Sequence, residues 1–202
     1  MRYLFPTYCP LCRSTVAKGF ICALCADELS YCHQALFRRA QLECHAVFHY
    51  TAAIQHMLMQ LKFSHKLIYT RFLGNELARA LRIFYTSPPL LLLPVPLHNL
   101  RLKERGFNQV LEIAKVAAKQ LNIRIDKNSI VRTKYTKAQT ECTLSERKQN
   151  IKNAFSMYHT PASSSIILLD DVITTGSTVR ECYNILKSEN RQVDIWCIAK
   201  AD

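Results

Sequence analysis

No run of eighteen or more apolar residues occurs in the 202-residue chain, which excludes a helix able to cross a bilayer unaided. The opening MRYLFPTYCPLC lacks the continuous apolar segment of a signal peptide, so a soluble, cytoplasmic protein is expected. Internal repeats and low-complexity tracts are missing too, which removes solenoids and disordered arrays from consideration. The length allows one α/β domain with a substantial core plus a small appendage, and excludes two full-sized domains.

Acidic residues are scarce, 15 against 27 Lys and Arg, for a net charge of +12. The imbalance is regional: positions 99–153 hold thirteen basic and five acidic residues, whereas 154–202 hold four and six. A positive field over the middle third favours polyanions, either nucleic acid or phosphorylated small molecules.

Nine cysteines are present, an odd number that argues, without an export signal, against a secreted disulfide scaffold. Cys9 and Cys12 form one Cys-x-x-Cys pair and Cys22 and Cys25 another, nine residues apart. Two such turns can offer four thiolates to one tetrahedral Zn²⁺. Four soft ligands leave no position for a substrate, so the metal would be structural and would supply folding free energy that so short a segment lacks. Free thiols or a redox pair are the alternatives. Cys32, Cys44, His33 and His45 lack this spacing and read as packing residues. Cys142, Cys182 and Cys197 have no partner at ligand spacing.

Periodicity then alternates between strand and helix. A strand is expected at 43–50, a helix with Ile54, Met57, Leu58 and Leu61 on one stripe, and a second helix at 67–85. Pro88 and Pro89 stop that helix, and LLLLPVP reads as a fully buried strand. A helix at 108–121 groups Val110, Ile113, Ala114 and Ala117. Strands at 129–133, 154–158 and 166–169, a helix at 179–188 and a last strand at 193–200 complete a βαβαβ order. The expected fold class is α/β, an open and mostly parallel sheet with ligands at the carboxyl ends of its strands. The polar stretch 134–150 either closes over an anion through Lys134, Lys137, Arg147 and Lys148 or is a solvated basic loop.

The segment IILLDDVITTGSTV, 166–179, carries the most specific chemistry. Asp170 and Asp171 are expected where the sheet ends, and Thr174, Thr175, Gly176, Ser177 and Thr178 as a tight loop entering a helix. Loop N–H groups and the positive helix end attract an anion, and Gly176 lets backbone approach a phosphate. The glycine is too isolated for a P-loop, and no lysine follows it. Carboxylates beside a phosphate suit hydroxyl donors, so a ribose 5-phosphate fits. Thr178 to Glu181 also reads as a capping box, which leaves the aspartate pair unexplained.

LLDDVITTGST resembles the 5-phosphoribosyl 1-pyrophosphate (PRPP) motif of type I phosphoribosyltransferases. PVPLHNLRLKERGFNQ and TKAQTECTLSERKQNIKNAF resemble two further blocks of the ComF competence family, in which a zinc ribbon precedes this fold. The resemblance spans nearly the whole chain. It implies a zinc-ribbon-like module at 1–40 and a phosphoribosyltransferase-like domain at 41–202. It implies Asp170 and Asp171 on the ribose hydroxyls, Thr174 to Thr178 on the 5-phosphate, Arg105 and Arg147 on the pyrophosphate, and Mg²⁺ travelling with PRPP. PVPLH is similar to the pyrophosphate loop of amidophosphoribosyltransferases and 139–147 to their mobile hood, which makes the basic stretch a lid. Two readings stay open. One is phosphoribosyl transfer to a nucleobase or amine, although no segment reads as a nucleobase pocket and no glutaminase domain delivers ammonia. The other is a PRPP-binding module of natural transformation, with single-stranded DNA and a competence helicase or DNA-processing proteins as partners, in the cytoplasm or against the inner face of the membrane. Phe107, Tyr135 and Tyr158 could then stack on bases.

Overall fold

A computed structural model of the chain describes residues 8–16, 19–32, 36–87, 91–135, 152–187 and 190–201. Six strands make one sheet in the order β1 (Leu36–Arg39), β2 (Leu42–His49), β8 (Gln192–Lys200), β7 (Ser165–Ile173), β3 (Leu91–Pro94) and β4 (Arg124–Ile125). The β1–β2 hairpin is antiparallel and the other neighbours run parallel, so the expected open, mostly parallel α/β sheet is observed.

One face of the sheet is covered by α2 (Ala52–Ser64), α3 (Ile68–Phe84) and α5 (Gln109–Leu121), whose Leu58, Leu73, Leu77 and Ile113 pack with Ile167 and Leu169. On the other face α6 (Ser177–Leu186) packs Val179, Cys182 and Leu186 with Ile166 and Leu168. Ile166 to Leu169 are buried because both faces of β7 are covered, which is why the sequence there is continuously aliphatic. Each such side chain contributes about 1.5–3 kcal/mol. At Gly74 α3 approaches the middle of α5 so closely that a Cβ would lie 2.5 Å from the Val116 Cβ.

The strands expected at 129–133 and 154–158 do not join the sheet. β5 (Ile130–Arg132) and β6 (Phe155–Met157) pair antiparallel with each other alone. Of their residues only Ile130 and Phe155 are buried, whereas an interior parallel strand must be buried on both faces. Four short elements are not expected from the sequence: the edge strands β1 and β4, α1 (Ala23–Asp27), and α4 (Asn99–Arg105), which buries no residue and so has no apolar stripe. Among the described residues, no helix is long and apolar enough to cross a membrane.

Candidate functional site

Cys9 and Cys12 share a turn closed by the Arg13 N–H, which donates to the Cys9 carbonyl at 2.8 Å. Cys22 and Cys25 flank the start of α1. The four Sγ atoms lie within 4.8 Å of one another, those of Cys12 and Cys22 at 3.4 Å. Sulfurs about 2.3 Å from a tetrahedral zinc would be about 3.8 Å apart, so the set is compatible with a zinc site. Hydrogen bonding from Ser14 draws the Cys12 thiol down to about 6, whereas burial pushes Cys25 up. The module is fastened to α3, where Phe20 stacks on Phe72 at 5.5 Å and the Tyr69 hydroxyl donates to the Pro10 carbonyl at 3.0 Å. Cys32, Cys44, Cys182 and Cys197 are not part of the cluster.

A cleft of about 350 Å³ opens over the loops that follow β3 and β7. Asp170, Asp171 and the loop Thr174 to Thr178 line it, together with Arg101 and Arg105 of α4 and Arg132 of β5. Local structure explains the placement. Asn108 caps α5 by accepting from the Val110 N–H at 2.9 Å, and its amide donates to the Val95 carbonyl at 2.9 Å, so the end of β3 and the start of α5 are joined. Gln109 follows, donating from Nε2 to Asp171 Oδ2 at 2.9 Å and accepting from Arg105 Nη1 at 2.5 Å. Lys62, near the end of α2, brings its Nζ to 2.5 Å from the same Asp171 oxygen.

β7 does not end before the aspartates. It leaves β3 at Leu169 but stays paired with β8 as far as Ile173. Adjacent strand residues face opposite sides: Asp171 meets Lys62 and Gln109, and Asp170 faces the side of Arg132 and Cys182. Burial, and then the charge of Asp171, push the Asp170 carboxyl up to about 7. Burial acts on Asp171 in the same sense, but the Lys62 charge and hydrogen bond outweigh it and hold Asp171 below the ordinary carboxylate value. The two adjacent acids therefore titrate apart, Asp171 ionising first.

In the loop, the Thr175 and Ser177 hydroxyls lie 3.0 Å apart. Gly176 has φ 76°, and a Cβ there would stand 3.0 Å from Arg39 Cβ and 3.1 Å from Ala40 Cβ. The glycine is thus required by the β1–β2 turn packed against it, independently of any phosphate. Arg39 also donates from Nε to the Thr174 carbonyl at 3.2 Å and from Nη2 to the Ala201 carbonyl at 2.8 Å. The capping box does not form. Gly176 is the N-cap of α6 and Thr178 already lies in its first turn, while Glu181 accepts from the Asn153 N–H at 3.2 Å. Sequence reasoning does not reach Lys62, Gln109, Arg39 or Arg132. Arg147, the 139–147 hood, Lys137, Lys148, Cys142 and His33 lie outside the described residues.

No protein-family model matches the chain. Over 206 residues the chain is 28% identical to competence protein F of Haemophilus influenzae, covering 96% of this chain and 90% of that protein. Over 221 residues it is 30% identical to the DNA utilization protein YhgH of Salmonella typhimurium, covering 96% and 97%. Its backbone is similar to that of adenine phosphoribosyltransferase from Leishmania tarentolae, with a TM-score of 0.44 and 11% identity over 71% of this chain and 75% of that one.

Proposed function

The chain belongs to the ComF competence family, and on that premise we propose that it binds PRPP in the cleft and acts in natural transformation, in the uptake or processing of incoming single-stranded DNA. One observation carries the PRPP reading: an ionised, buried carboxylate, Asp171, shares a cleft with a hydroxyl-rich loop at the N-terminus of α6. Loop and helix N–H groups donate to the 5-phosphate, Asp171 and Asp170 accept from the ribose hydroxyls, and Arg105 faces the diphosphate. Mg²⁺ comes with that diphosphate. Asp171 is already engaged by Lys62 and Gln109, so the pair is no preformed cation cage. Zinc holds the four-cysteine module as a structural ion.

Single-stranded DNA is the macromolecular partner, with competence helicase or DNA-processing proteins beside it at the cytoplasmic face of the membrane. The basic middle third and the exposed rings of Tyr135 and Tyr158 support this reading. A second reading, phosphoribosyl transfer, is favoured by the cleft continuing past Asp171 to a further wall from α2.

Calorimetric titration with PRPP and Mg²⁺ tests the site. The double substitution Asp170→Ala/Asp171→Ala should abolish binding while the fold persists, and unchanged affinity would overturn the assignment. Pyrophosphate release that depends on one acceptor from a panel of nucleobases and single-stranded DNA would decide for transfer, and binding without release for the DNA-handling role.

A further inference from the structure

His45, on β2, is 7% exposed, and its Nδ1 has no hydrogen-bond partner among the described residues. A buried polar atom in that state costs free energy and calls for a physical reason. Aromatic rings enclose it. Trp196, its register partner on β8, stacks on the imidazole at 4.9 Å and 21°, and Phe84, in the last turn of α3, meets it edge-on at 4.3 Å. Tyr85, the next residue, donates from its hydroxyl to Asp194 Oδ2 at 2.7 Å and accepts from Trp196 Nε1 at 3.1 Å. Phe84 and Tyr85 thus seat the end of α3 on β2 and β8. None of these residues lines the cleft.

Burial holds the imidazole below its ordinary value of 6.5, although two carboxylates, Asp194 on β8 and Glu43 on its own strand, draw a proton towards it. Glu43 stands opposite Arg38 of β1, and Gln192 shares Asp194 at 3.3 Å. On α3, Arg82 turns its Nη2 to the Gln120 carbonyl of α5 at 2.8 Å. A neutral ring can leave Nδ1 without a proton, whereas an imidazolium must carry an N–H there. The box offers that N–H no acceptor. Phe84 is the wall that can yield, being 48% exposed, whereas Trp196 is 1% exposed within β8. We propose that His45 is a proton-operated latch on the end of α3: the neutral ring keeps Phe84 and Tyr85 seated on the sheet, and protonation unseats them so that the new N–H reaches water. The unseated state binds the proton more tightly than the seated one, so opening is absent above 6.5 and advances as pH falls below it.

Trp196 is the single tryptophan of the chain, so tryptophan fluorescence reads this contact alone. In the full, zinc-loaded chain, emission should fall and shift to the red as pH drops from 8 to 5, with a midpoint below 6.5. An imidazolium quenches a stacked indole, and an unseated Phe84 admits water to it. Quenching by acrylamide should strengthen over the same range while far-ultraviolet circular dichroism stays constant. His45→Phe should flatten the whole profile. Tyr85→Phe removes the hydroxyl between Trp196 and Asp194 without touching the imidazole, and should move the midpoint to higher pH. A flat profile in the parent, or the parent's profile retained in His45→Phe, overturns the latch. Emission that falls with unchanged acrylamide access shows a ring that titrates in place, and overturns it too. So does a loss of circular dichroism in step with the emission, which is unfolding of the chain. The parent's acrylamide profile and the Tyr85→Phe midpoint decide the matter should His45→Phe not fold, and a midpoint unmoved in Tyr85→Phe overturns the part given to α3.

Discussion

Lys62 and Asp171 form an ion pair, Nζ to Oδ2 2.5 Å, that links the last turn of α2 to the central strand β7. The pair decides the charge of the site, because burial alone would raise the Asp171 carboxyl and Lys62 reverses the shift. A carboxyl held below its unfolded value adds stability above that value and loses it in acid. In Lys62→Met only burial and the Gln109 and backbone hydrogen bonds remain. The folded state then carries an uncompensated charge at pH 8 that protonation can relieve at pH 5. Thermal unfolding should show a loss of about 1–3 kcal/mol at pH 8, discounted from a fully buried pair because both side chains are partly exposed. The loss at pH 5 should be smaller. Equal losses at both pH values would reduce Lys62 to a packing role.

Asp170 has the opposite sign. Its carboxyl is raised to about 7 by burial and by Asp171, so its contribution to stability is fully present below the unfolded value near 4 and lost as pH rises through 7. Asp170→Asn removes the titrating proton while keeping the shape. The variant should melt several degrees above the parent at pH 8 and together with it at pH 5. Identical melting differences at the two pH values would place the titration elsewhere.

The β1–β2 turn holds the loop from behind. Gly176→Ala combines a left-handed backbone with contacts of 3.0 and 3.1 Å, and should cost about 1–3 kcal/mol of stability. Arg39→Ala removes the bonds to the Thr174 and Ala201 carbonyls without touching the proposed ligand, and PRPP affinity should fall about tenfold. Unchanged affinity in calorimetry would mean that the loop keeps its shape without the clamp.

How far these features can be read from the sequence depends on how local their causes are. The aliphatic run before Asp170 and the helical period of α5 are contiguous signals, and both elements are observed. The aspartates and the hydroxyl loop are legible for the same reason. Gln109 reaches Asp171 across 62 residues and Arg39 reaches Thr174 across 135. Only the parallel sheet and its crossovers bring them together, and no local pattern encodes that meeting. β5 and β6 have legible strand character, but alternation does not name a strand's partner, so their pairing outside the main sheet has no signal.

The cysteine cluster predicts one zinc per chain in freshly purified, reduced protein. Because Phe20 of this module stacks on Phe72 of α3, removing the ion by chelation should lower the melting temperature of the whole chain and not only that of its first residues. Elemental analysis that finds no metal would refute the site. Phe20→Ala should retain zinc yet weaken the coupling between chelation and melting.

Single-stranded DNA should bind through the basic middle third, and two neighbouring residues separate the forces involved. The Tyr158 N–H donates to the Ser129 carbonyl at 2.8 Å, which puts its 77% exposed ring beside the stretch that carries Lys127. Each phosphate neutralised on a single strand adds about 0.7 to the slope of log affinity against log salt. Four such contacts give a loss of about fifty-fold between 50 and 200 mM salt. Lys127→Ala should therefore weaken binding and flatten the slope by about 0.7, whereas Tyr158→Ala, which removes stacking but no charge, should weaken binding several-fold at every salt concentration and leave the slope alone. Affinity indifferent to salt in the parent would remove the electrostatic basis of the DNA reading. A slope change in Tyr158→Ala would show that the ring positions a cation rather than a base.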